Sequence, residues 1–514
     1  MESEHATIEE PRTTAEDAGS TTPSRSLAPL RYDLVIIGEG PVAVAAAREA
    51  TVFGRRTAVI ARELLGPGSG PDMRAVEGAL WSAACACARS CRDFGGRLHD
   101  SRRDAWLALR ADLDRAVLAG PPASAGSIAE PNVDLLIGEA SFAGRREVTV
   151  SGRPIRFRYA LLAPECRARA DGIDGRGVEL CWRPADLARL ACIPRRLAIV
   201  GVGPRECIWA QSLCRLGSEV HVFGRESEIL PGELPAAAAI VRRRLEDEGV
   251  RFHFNYRRLE VQPLRQQRLL TVEEKGGTQK RFVDAVLVDD VRELDLEPLK
   301  LEAAGVKVSA GGVVTDRRLR TTNHRIFAAG EICRGYGASG DTAEAAARVC
   351  VRQAMGRRWD GRGGVVIARR VGTDPAIVRL GQMPEELEQG KVAWDNYRVE
   401  LDELASVDAT AGEEGFVEIY VRRATGRVLG ACVVASDADA LAGPLMLLAR
   451  SGLCATALHT LIASRSPCVE LLAKLADRQA AGHCPRWSLW LGESLRAWID
   501  TAREQLRLRL VRGR

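Results

Sequence analysis

Residues 32–61 read YDLVIIGEGPVAVAAAREATVFGRRTAVIA and decide the fold of the first part of the chain. An apolar run ends at Gly38, an alanine-rich stretch follows Gly40, and a second apolar run ends at Ala61. Short apolar runs predict buried strands, and the alanine-rich stretch predicts a helix. A strand, a glycine turn, a helix and a second strand form a βαβ unit, which is typical of a dinucleotide-binding domain.

The turn of this unit has the spacing G-x-G-x-x-A. Gly38 permits the sharp turn, Gly40 lets the backbone approach a pyrophosphate, and Ala43 leaves room for helix and strand to pack. The helix N-terminus then faces the anion. An acidic residue is expected at the end of the second strand to bind a ribose hydroxyl, but Ala61 stands there and Glu63 follows two residues later. The alternative is a turn with a purely structural role.

Residues 196–225, RLAIVGVGPRECIWAQSLCRLGSEVHVFGR, repeat the pattern. Gly201 and Gly203 keep the turn, but Glu206 stands at the third small position, where a carboxylate repels phosphate. Arg225 follows the second strand and suits the 2′-phosphate of NADP better than the free hydroxyl of NAD. The second unit therefore predicts either an NAD(P) site, with NADP the better fit, or a site that has been emptied.

Length and composition describe an ordinary folded chain. The 514 residues are 46% hydrophobic and 27% charged, as in soluble globular proteins of several domains. Lys plus Arg number 73 and Asp plus Glu 68, so a surplus of 5 cations does not favour a nucleic-acid partner. The 14 cysteines are scattered without a CxxC pair and nothing apolar precedes residue 34, which predicts a reduced cytoplasmic compartment. Cys85, Cys87 and Cys91 have spacings of two and six on a predicted helix, so they do not converge on one face, and no metal site is predicted. No apolar run approaches the roughly 20 residues of a membrane span.

Two such units at this separation, followed by TTNHRIFAAGEIC (residues 321–333) and GFVEIYVRRATGRVLGA (residues 415–431), make the chain resemble the pyridine nucleotide-disulfide oxidoreductase family. The resemblance implies an α/β fold with two Rossmann-like dinucleotide-binding domains and a C-terminal α+β dimerisation domain. It also implies a homodimer and the cofactors FAD and NAD or NADP. Ala329, Gly330 and Glu331 match the family's A-A-G-D segment, and the Glu331 carboxylate would still hydrogen-bond a ribityl hydroxyl.

The resemblance also predicts where the domains begin and end. Two alternating strands joined at Thr425-Gly426 belong to the predicted dimerisation domain. The predicted segments are a disordered tail (1–30), the first part of the FAD-binding domain (31–165), the NAD(P)-binding domain (166–292), a return segment to the FAD-binding domain (293–356), the dimerisation domain (365–480) and an amphipathic basic C-terminal helix (481–514).

The resemblance fails at the residues that carry the family's thiol chemistry. Its redox-active cysteine pair falls on Ser69 and Arg74, which cannot form a disulfide. Its flavin-side lysine falls on Gly78, and the partner glutamate falls on Ile208. Losing both members of that ion pair avoids leaving one unpaired buried charge.

The proton acceptor of the family is also replaced. The histidine of its H-P-T-x-x-E motif falls on Arg465, whose guanidinium stays protonated and cannot accept a proton, while the glutamate remains as Glu470. His459 lies too far upstream on the predicted helix to take its place. Glu165 closes the first domain where the family has a glycine.

We therefore expect a flavoenzyme in which FAD, reduced by NAD(P)H, passes electrons directly to a small acceptor or a second nucleotide, as in the soluble transhydrogenase branch of the family. The alternative is a non-catalytic flavoprotein or dimeric scaffold that has lost turnover, because both nucleotide sites are altered together. The chain does not identify the acceptor.

The last part of the chain extends beyond the family's usual end. Apolar residues that include Trp487, Leu491, Leu495 and Trp498 recur at helical spacing among arginines, which predicts an amphipathic basic helix. Docking on the protein's own body or on the partner subunit is the first interpretation. Weak contact with an anionic membrane surface is the second.

Overall fold

The structure, a computed structural model, describes residues 29–62, 73–94, 98–119, 128, 130–169, 173, 177–265, 267–309, 312–333, 340–356, 365–404, 414–460 and 467–483. Most of the predicted tail and of the predicted C-terminal helix lies outside these ranges, as do Ser69 and Arg465. Within them, no helix combines the length and apolar character that crossing a membrane requires.

The βαβ unit predicted at the start of the chain is present. Its two strands pair in parallel, with Leu34 opposite Thr57 and Ile37 opposite Ile60, and the helix between them buries its alanines. Two long helices follow before the chain returns to the same sheet. The elements of this part are β1 (Leu30–Ile37), α1 (Pro41–Thr51), β2 (Thr57–Ala61), α2 (Met73–Phe94), α3 (Leu98–Ala119), β3 (Val133–Ile137), β4 (Ala140–Gly144), β5 (Glu147–Val150) and β6 (Arg153–Leu162).

The second predicted βαβ unit forms the centre of a separate four-stranded parallel sheet in the order β10-β9-β8-β14, covered on one face by an antiparallel meander of β11, β12 and β13. The short strands β7 and β15 pair where the chain enters and leaves this domain. The elements are β7 (Arg167–Arg169), β8 (Arg196–Val200), α4 (Pro204–Arg215), β9 (Glu219–Phe223), α5 (Pro235–Asp247), β10 (Arg251–His253), β11 (Arg258–Leu264), β12 (Gln267–Glu274), β13 (Gly277–Val283), β14 (Ala285–Val288) and β15 (Val291–Glu293).

The chain then returns to the first sheet through a parallel strand that pairs with β6, and the helix after that strand packs on α1. The first sheet has the order β3-β2-β1-β6-β5-β4, with this returning strand added beside β6. The elements of the return segment are β16 (Val308–Ser309), β17 (Gly312–Val313), β18 (Ile326–Ala328) and α6 (Gly340–Ala354).

The last described region is an antiparallel five-stranded sheet with helices packed against it, an α+β arrangement. The two strands predicted around Thr425-Gly426 are its hairpin β22-β23. The elements are β19 (Ala368–Val371), β20 (Ala376–Gly381), α7 (Pro384–Gln389), β21 (Trp394–Glu400), β22 (Phe416–Arg422), β23 (Val428–Ala435), α8 (Ala438–Ser451) and α9 (Pro467–His483). The predicted fold class is thus confirmed.

One buried arginine joins all three of these regions. The side chain of Arg215, at the end of α4, is 5% exposed and lies 2.6 Å from Glu248 Oε1 and 2.8 Å from Asp374 Oδ2. Its guanidinium also lies over the ring of Trp81 on α2, 5.5 Å from the centroid. Burial acts to raise the pKa of Asp374, but Arg215 and the hydroxyl of Ser436 hold that pKa below its ordinary value. This cluster fixes the second domain against the first and the third.

Replacing Arg215 with methionine is expected to lower the free energy of unfolding by about 3–5 kcal/mol, because it leaves Glu248 and Asp374 without their buried cation. Guanidinium denaturation measures the change. The control is Arg243→Met, which removes an exposed ion pair with Glu414 and should cost less than about 1 kcal/mol. Equal effects of the two substitutions would contradict the assigned role of Arg215.

Candidate functional site

The first glycine turn has the geometry that a pyrophosphate needs. A side chain on Gly38 would place its Cβ 2.1 Å from the carbonyl oxygen of Ala163, so only glycine fits at this close approach of two strand ends. Gly40 is the N-cap of α1 and offers no side chain to its N–H groups, and Ala43 is fully buried against the sheet. Backbone N–H groups at a bare helix N-terminus form an anion site.

A carboxylate of the chain itself lies against this turn. A Cβ built on Gly40 would be 1.6 Å from Glu165 Oε1, which places the Glu165 side chain directly beside the first residue of the helix. Glu165 is half-buried and follows the end of β6. Its negative charge therefore stands where the bare helix N-terminus attracts an anion.

The predicted flavin segment lies beside the same turn. The backbone N–H of Ala329 donates to the carbonyl of Leu162 at 3.0 Å, which continues the pairing of β18 with β6. Gly330 has φ +90°, and a Cβ there would be 3.9 Å from Val42 on α1. The fold therefore brings Ala329, Gly330 and Glu331 next to the first turn of α1, although they are almost 300 residues apart in sequence.

The second glycine turn is covered by Glu206. This residue lies in the first turn of α4, and its side chain folds back over the glycines that precede the helix. A Cβ on Gly201 would be 2.6 Å from Glu206 Oε1, and one on Gly203 would be 2.8 Å from Glu206 Oε2. The carboxylate that the sequence placed at the mouth of the phosphate site thus lies inside the turn.

The environment of Glu206 favours its neutral form. Burial, and then the nearby negative charge of Asp289, raise the pKa of Glu206 to about 7. A backbone N–H and the Arg205 guanidinium act in the opposite direction but do not cancel these effects. The carboxyl is therefore neutral below about pH 7 and charged above it, within the range in which proteins operate.

Arg225 lies at the end of β9, beyond the buried Gly224. It is exposed, its Nε donates to the hydroxyl of Tyr256 at 3.4 Å, and its guanidinium lies over the Tyr256 ring. This contact holds a cation at the edge of the sheet where the ribose of a dinucleotide binds in a Rossmann fold.

The start of α2 carries an arginine where the resemblance places the second cysteine. Arg74 Nη1 lies 2.7 Å from Glu344 Oε1 on α6, and Arg348 lies on the other oxygen of that glutamate. Gly78, at the position of the family's lysine, is exposed and has open space in front of its Cα. The described part of α2 therefore presents an ion pair, and not a thiol, to α6.

An ion pair that sequence reasoning missed joins α2 to α4. Arg205 Nη2 lies 2.7 Å from Glu77 Oε1, and Arg205 Nη1 lies 2.5 Å from Asp289 Oδ1. Glu77 lies next to Gly78 on α2, and Arg205 lies in the first turn of α4, the helix that carries Ile208. The same two helices are thus linked by an ion pair whose charges are reversed relative to the pair that the resemblance expects. The sequence offered one signal for this ion pair, the position of Glu77 next to Gly78, but the partner Arg205 lies 128 residues away in the chain.

The retained Glu470 forms an ion pair within its own helix. Its Oε1 lies 3.5 Å from Lys474 Nζ, one turn further along α9. His459 pairs at 2.9 Å with Oδ1 of Asp477, which lies on α9.

Cys87 is buried in α2, where its thiol contacts the carbonyl of Arg215. In the part of the chain that the structure describes, no three His, Cys, Asp or Glu side chains converge on a point that could hold a metal ion.

Two dinucleotide turns in separate domains, followed by an α+β sheet domain, define the class of two-dinucleotide oxidoreductases. The chain belongs to the pyridine nucleotide-disulfide oxidoreductase family. The family model described as "Pyridine nucleotide-disulphide oxidoreductase" matches residues 32–354, and the dimerisation domain of that family matches residues 367–475. The family binds FAD and NAD(P)H, and the predicted resemblance is confirmed.

Curated relatives match over most of the chain. Mercuric reductase of Staphylococcus aureus is 24% identical over 428 residues, which are 79% of this chain and 75% of that protein. Dihydrolipoyl dehydrogenase of Bacillus subtilis is 24% identical over 473 residues, which are 87% of this chain and 96% of that protein.

Solved structures share the fold. LpdA from Mycobacterium tuberculosis superposes with a TM-score of 0.64 at 23% identity, covering 87% of this chain and 99% of that one. The HOCl-induced flavoprotein disulfide reductase RclA from Escherichia coli superposes with a TM-score of 0.60 at 21% identity, with the same coverage.

The two sites differ in how well they fit these cofactors. The first site fits FAD in its backbone, because Gly38, Gly40 and the N-terminus of α1 form the anion cradle, with Glu165 beside it. The second site fits a nicotinamide dinucleotide better when Glu206 is neutral, because a charged carboxylate within the turn repels the pyrophosphate.

The binding of NADH is therefore expected to weaken about tenfold between pH 6 and pH 8, as Glu206 ionises through its raised pKa and repels the pyrophosphate. In Glu206→Gln the affinity should be high and independent of pH. Isothermal titration calorimetry at pH 6, 7 and 8 measures both. Glu228→Gln, an exposed glutamate paired with Arg242, is the control. An unchanged pH dependence in Glu206→Gln would remove this explanation.

Arg225→Ala is expected to weaken NADPH binding about tenfold and to leave NADH binding unchanged, because only NADPH carries the 2′-phosphate. Titrations of both nucleotides at pH 6 measure the ratio of affinities. Arg251→Ala, which removes an exposed arginine of the same domain, is the matched control. A parallel loss of both affinities would show that Arg225 does not read the ribose.

Proposed function

We propose that the protein is a homodimeric, FAD-dependent NAD(P)H oxidoreductase that works without a thiol relay and passes electrons from the flavin directly to a small acceptor or a second nucleotide. When bound, FAD accepts a hydride from the reduced nicotinamide and delivers the electrons onward. The observation that carries the proposal is Arg74, which stands at the second cysteine position and whose guanidinium is engaged by Glu344 at 2.7 Å. Neither guanidinium nor carboxylate can cycle electrons as a sulfur pair does.

The acid–base residues support the same proposal. Arg465 replaces the histidine, and a guanidinium cannot accept a proton. Glu470 is paired with Lys474 on its own helix. The acceptor is then one that needs no general base in the protein, such as the nicotinamide ring of a second dinucleotide.

The proposed chemistry differs from the activities for which the similar proteins are named, one of which is called a disulfide reductase. Those names belong to chains only 20–27% identical to this one, which leaves room for a change of acceptor within the shared fold. The dimerisation domain supports the homodimer. The 12 cysteines whose side chains the structure describes are free thiols, which supports the cytoplasmic location that we propose.

A second candidate is a dimeric scaffold or flavoprotein that has lost turnover. The specific observation in its favour is that a carboxylate lies against each glycine turn, Glu165 at Gly40 and Glu206 at Gly203. A charge in both phosphate sites would reduce the affinity for both dinucleotides together.

Thiol counting tests the proposed chemistry. We expect purified protein to be yellow, to bleach with NADPH or NADH, and to give the same number of thiols in denaturant before and after that reduction, all 14 cysteines of the chain. The reason is that no disulfide is available to take the electrons. A sample reduced with dithiothreitol sets the full count.

The outcomes separate the candidates. Two additional thiols after reduction, or efficient turnover of lipoamide, glutathione disulfide or mercuric ion, would refute the thiol-free proposal. Colourless protein that contains no flavin would favour the scaffold. If wild-type protein is yellow but NAD(P)H does not bleach it at pH 8, while NAD(P)H does bleach the Glu206→Gln variant, then the charge of Glu206 in the second site prevents reduction of the flavin.

A further inference from the structure

A cavity opens at the carboxyl ends of the parallel strands β1, β2 and β3. Ile37, Ile60 and Leu299 form apolar walls of this cavity, and Gly38 belongs to its rim. In open α/β sheets, ligands bind in the crevice outside the carboxyl ends of the strands. Apolar walls beside the glycine turn suit the faces of a purine base.

Glu39 lies in this cavity between the two glycines of the first turn. The residue is 9% exposed and lines the cavity. Its Oε2 accepts one hydrogen bond, from the backbone N–H of Arg62 at the long distance of 3.3 Å. A carboxylate has about four acceptor positions, and buried polar groups are normally satisfied. A buried carboxylate with one long hydrogen bond is therefore short of donors on the side of the cavity.

The cation of the cavity does not supply those donors. Arg62 Nη2 lies 3.7 Å from Glu39 Oε1, and Arg62 Nη1 lies 3.7 Å from Asp295 Oδ2. Both distances exceed that of a hydrogen bond, so the guanidinium balances charge between two carboxylates without donating a hydrogen bond to Glu39. One cation facing two carboxylates leaves the cavity with a negative balance. Such a cavity favours hydroxyl donors and disfavours a further phosphate.

We propose that Glu39 is the carboxylate that binds the ribose hydroxyls of an adenine nucleotide in the first domain. It takes the role that a Rossmann fold gives to an acidic residue at the end of the second strand, where this chain has Ala61. The ligand is an adenosine diphosphate moiety with an unphosphorylated ribose. Arg62 and Asp295 are positioning residues that hold the Glu39 side chain toward the cavity. The inference rests on the first nucleotide site of the proposed function, but it does not depend on turnover.

The test compares full-length wild type with Glu39→Gln, Glu39→Asp and Glu139→Gln. Glu139 lines the same cavity but is exposed, which makes it the matched control. The readouts are the FAD retained per chain after gel filtration, the dissociation constant of FAD from its fluorescence on dilution, and calorimetric binding of ADP to flavin-free chains. Thermal unfolding of each variant checks that it is folded.

Glu39→Gln is expected to raise the dissociation constants of FAD and ADP about 10- to 100-fold, the usual effect of losing hydrogen bonds to a charged group. Glu39→Asp should recover part of the affinity, and Glu139→Gln should match wild type. Wild type should bind ADP more tightly than adenosine 2′,5′-bisphosphate.

Equal affinities in Glu39→Gln and Glu139→Gln would overturn the inference, as would a preference for the bisphosphate or a wild type that binds neither FAD nor ADP. ADP binding that depends on Glu39 in a protein that retains no FAD would support the ribose assignment and reject the proposed flavoenzyme. Normal ADP binding by a folded Glu39→Gln variant, together with yellow protein that NAD(P)H bleaches, would reject the ribose assignment and support the proposed flavoenzyme.

Discussion

The arrangement of the two nucleotide turns depends on the buried cation Arg215. A guanidinium that is 95% removed from solvent is stable only when it is paired, and its partners here come from different domains. Glu248 fixes it within the second domain, while Asp374 and Trp81 connect it to the third and the first. The Arg215 cluster is therefore a buried contact, satisfied in charge, between the domains that carry the two turns.

The chain itself places a glutamate at each of its two anion sites. Helix N-termini attract anions, and at each turn a glutamate of the chain itself lies where the anion of a ligand would bind. Glu165 reaches the first turn from the end of β6, and Glu206 reaches the second from within α4. Glu165 belongs to the segment that follows β6, whereas Glu206 belongs to the helix that forms the second site. Because the pKa of Glu206 is raised to about 7, the charge at the second turn depends on pH in the range in which proteins operate.

An ion pair links the first and second domains beside the second turn. Glu77 on α2 and Arg205 on α4 join the two helices at which the resemblance expects a lysine and a glutamate, with the signs of the charges reversed. Asp289 completes the pairing of Arg205 and also raises the pKa of Glu206. One acidic residue thus stabilises the domain contact and tunes the nucleotide turn. Such coupled replacements are consistent with a changed acceptor on an unchanged fold.

Much of this protein could be predicted from local sequence. The strands and helices around Gly38 and Gly201 follow from short-range periodicity, and the hairpin at Thr425-Gly426 follows from alternation and turn chemistry. The matches of Arg74 to a cysteine and of Arg465 to a histidine stay predictions from the resemblance. Glycine spacing also located both anion turns, because that motif is contiguous in the chain.

The tertiary structure alone decided which side chains enter those turns and which charges meet between the helices. Glu165 lies 125 positions from Gly40, and Arg205 lies 128 positions from Glu77, so no local pattern connects them. Glu39 is within the motif, but sequence reasoning treated its position as variable, and its burial follows from the packing of β2 and the segment around Asp295. Backbone periodicity is a short-range property, whereas the direction and pairing of a charged side chain depend on the desolvation and the partners that the completed fold provides.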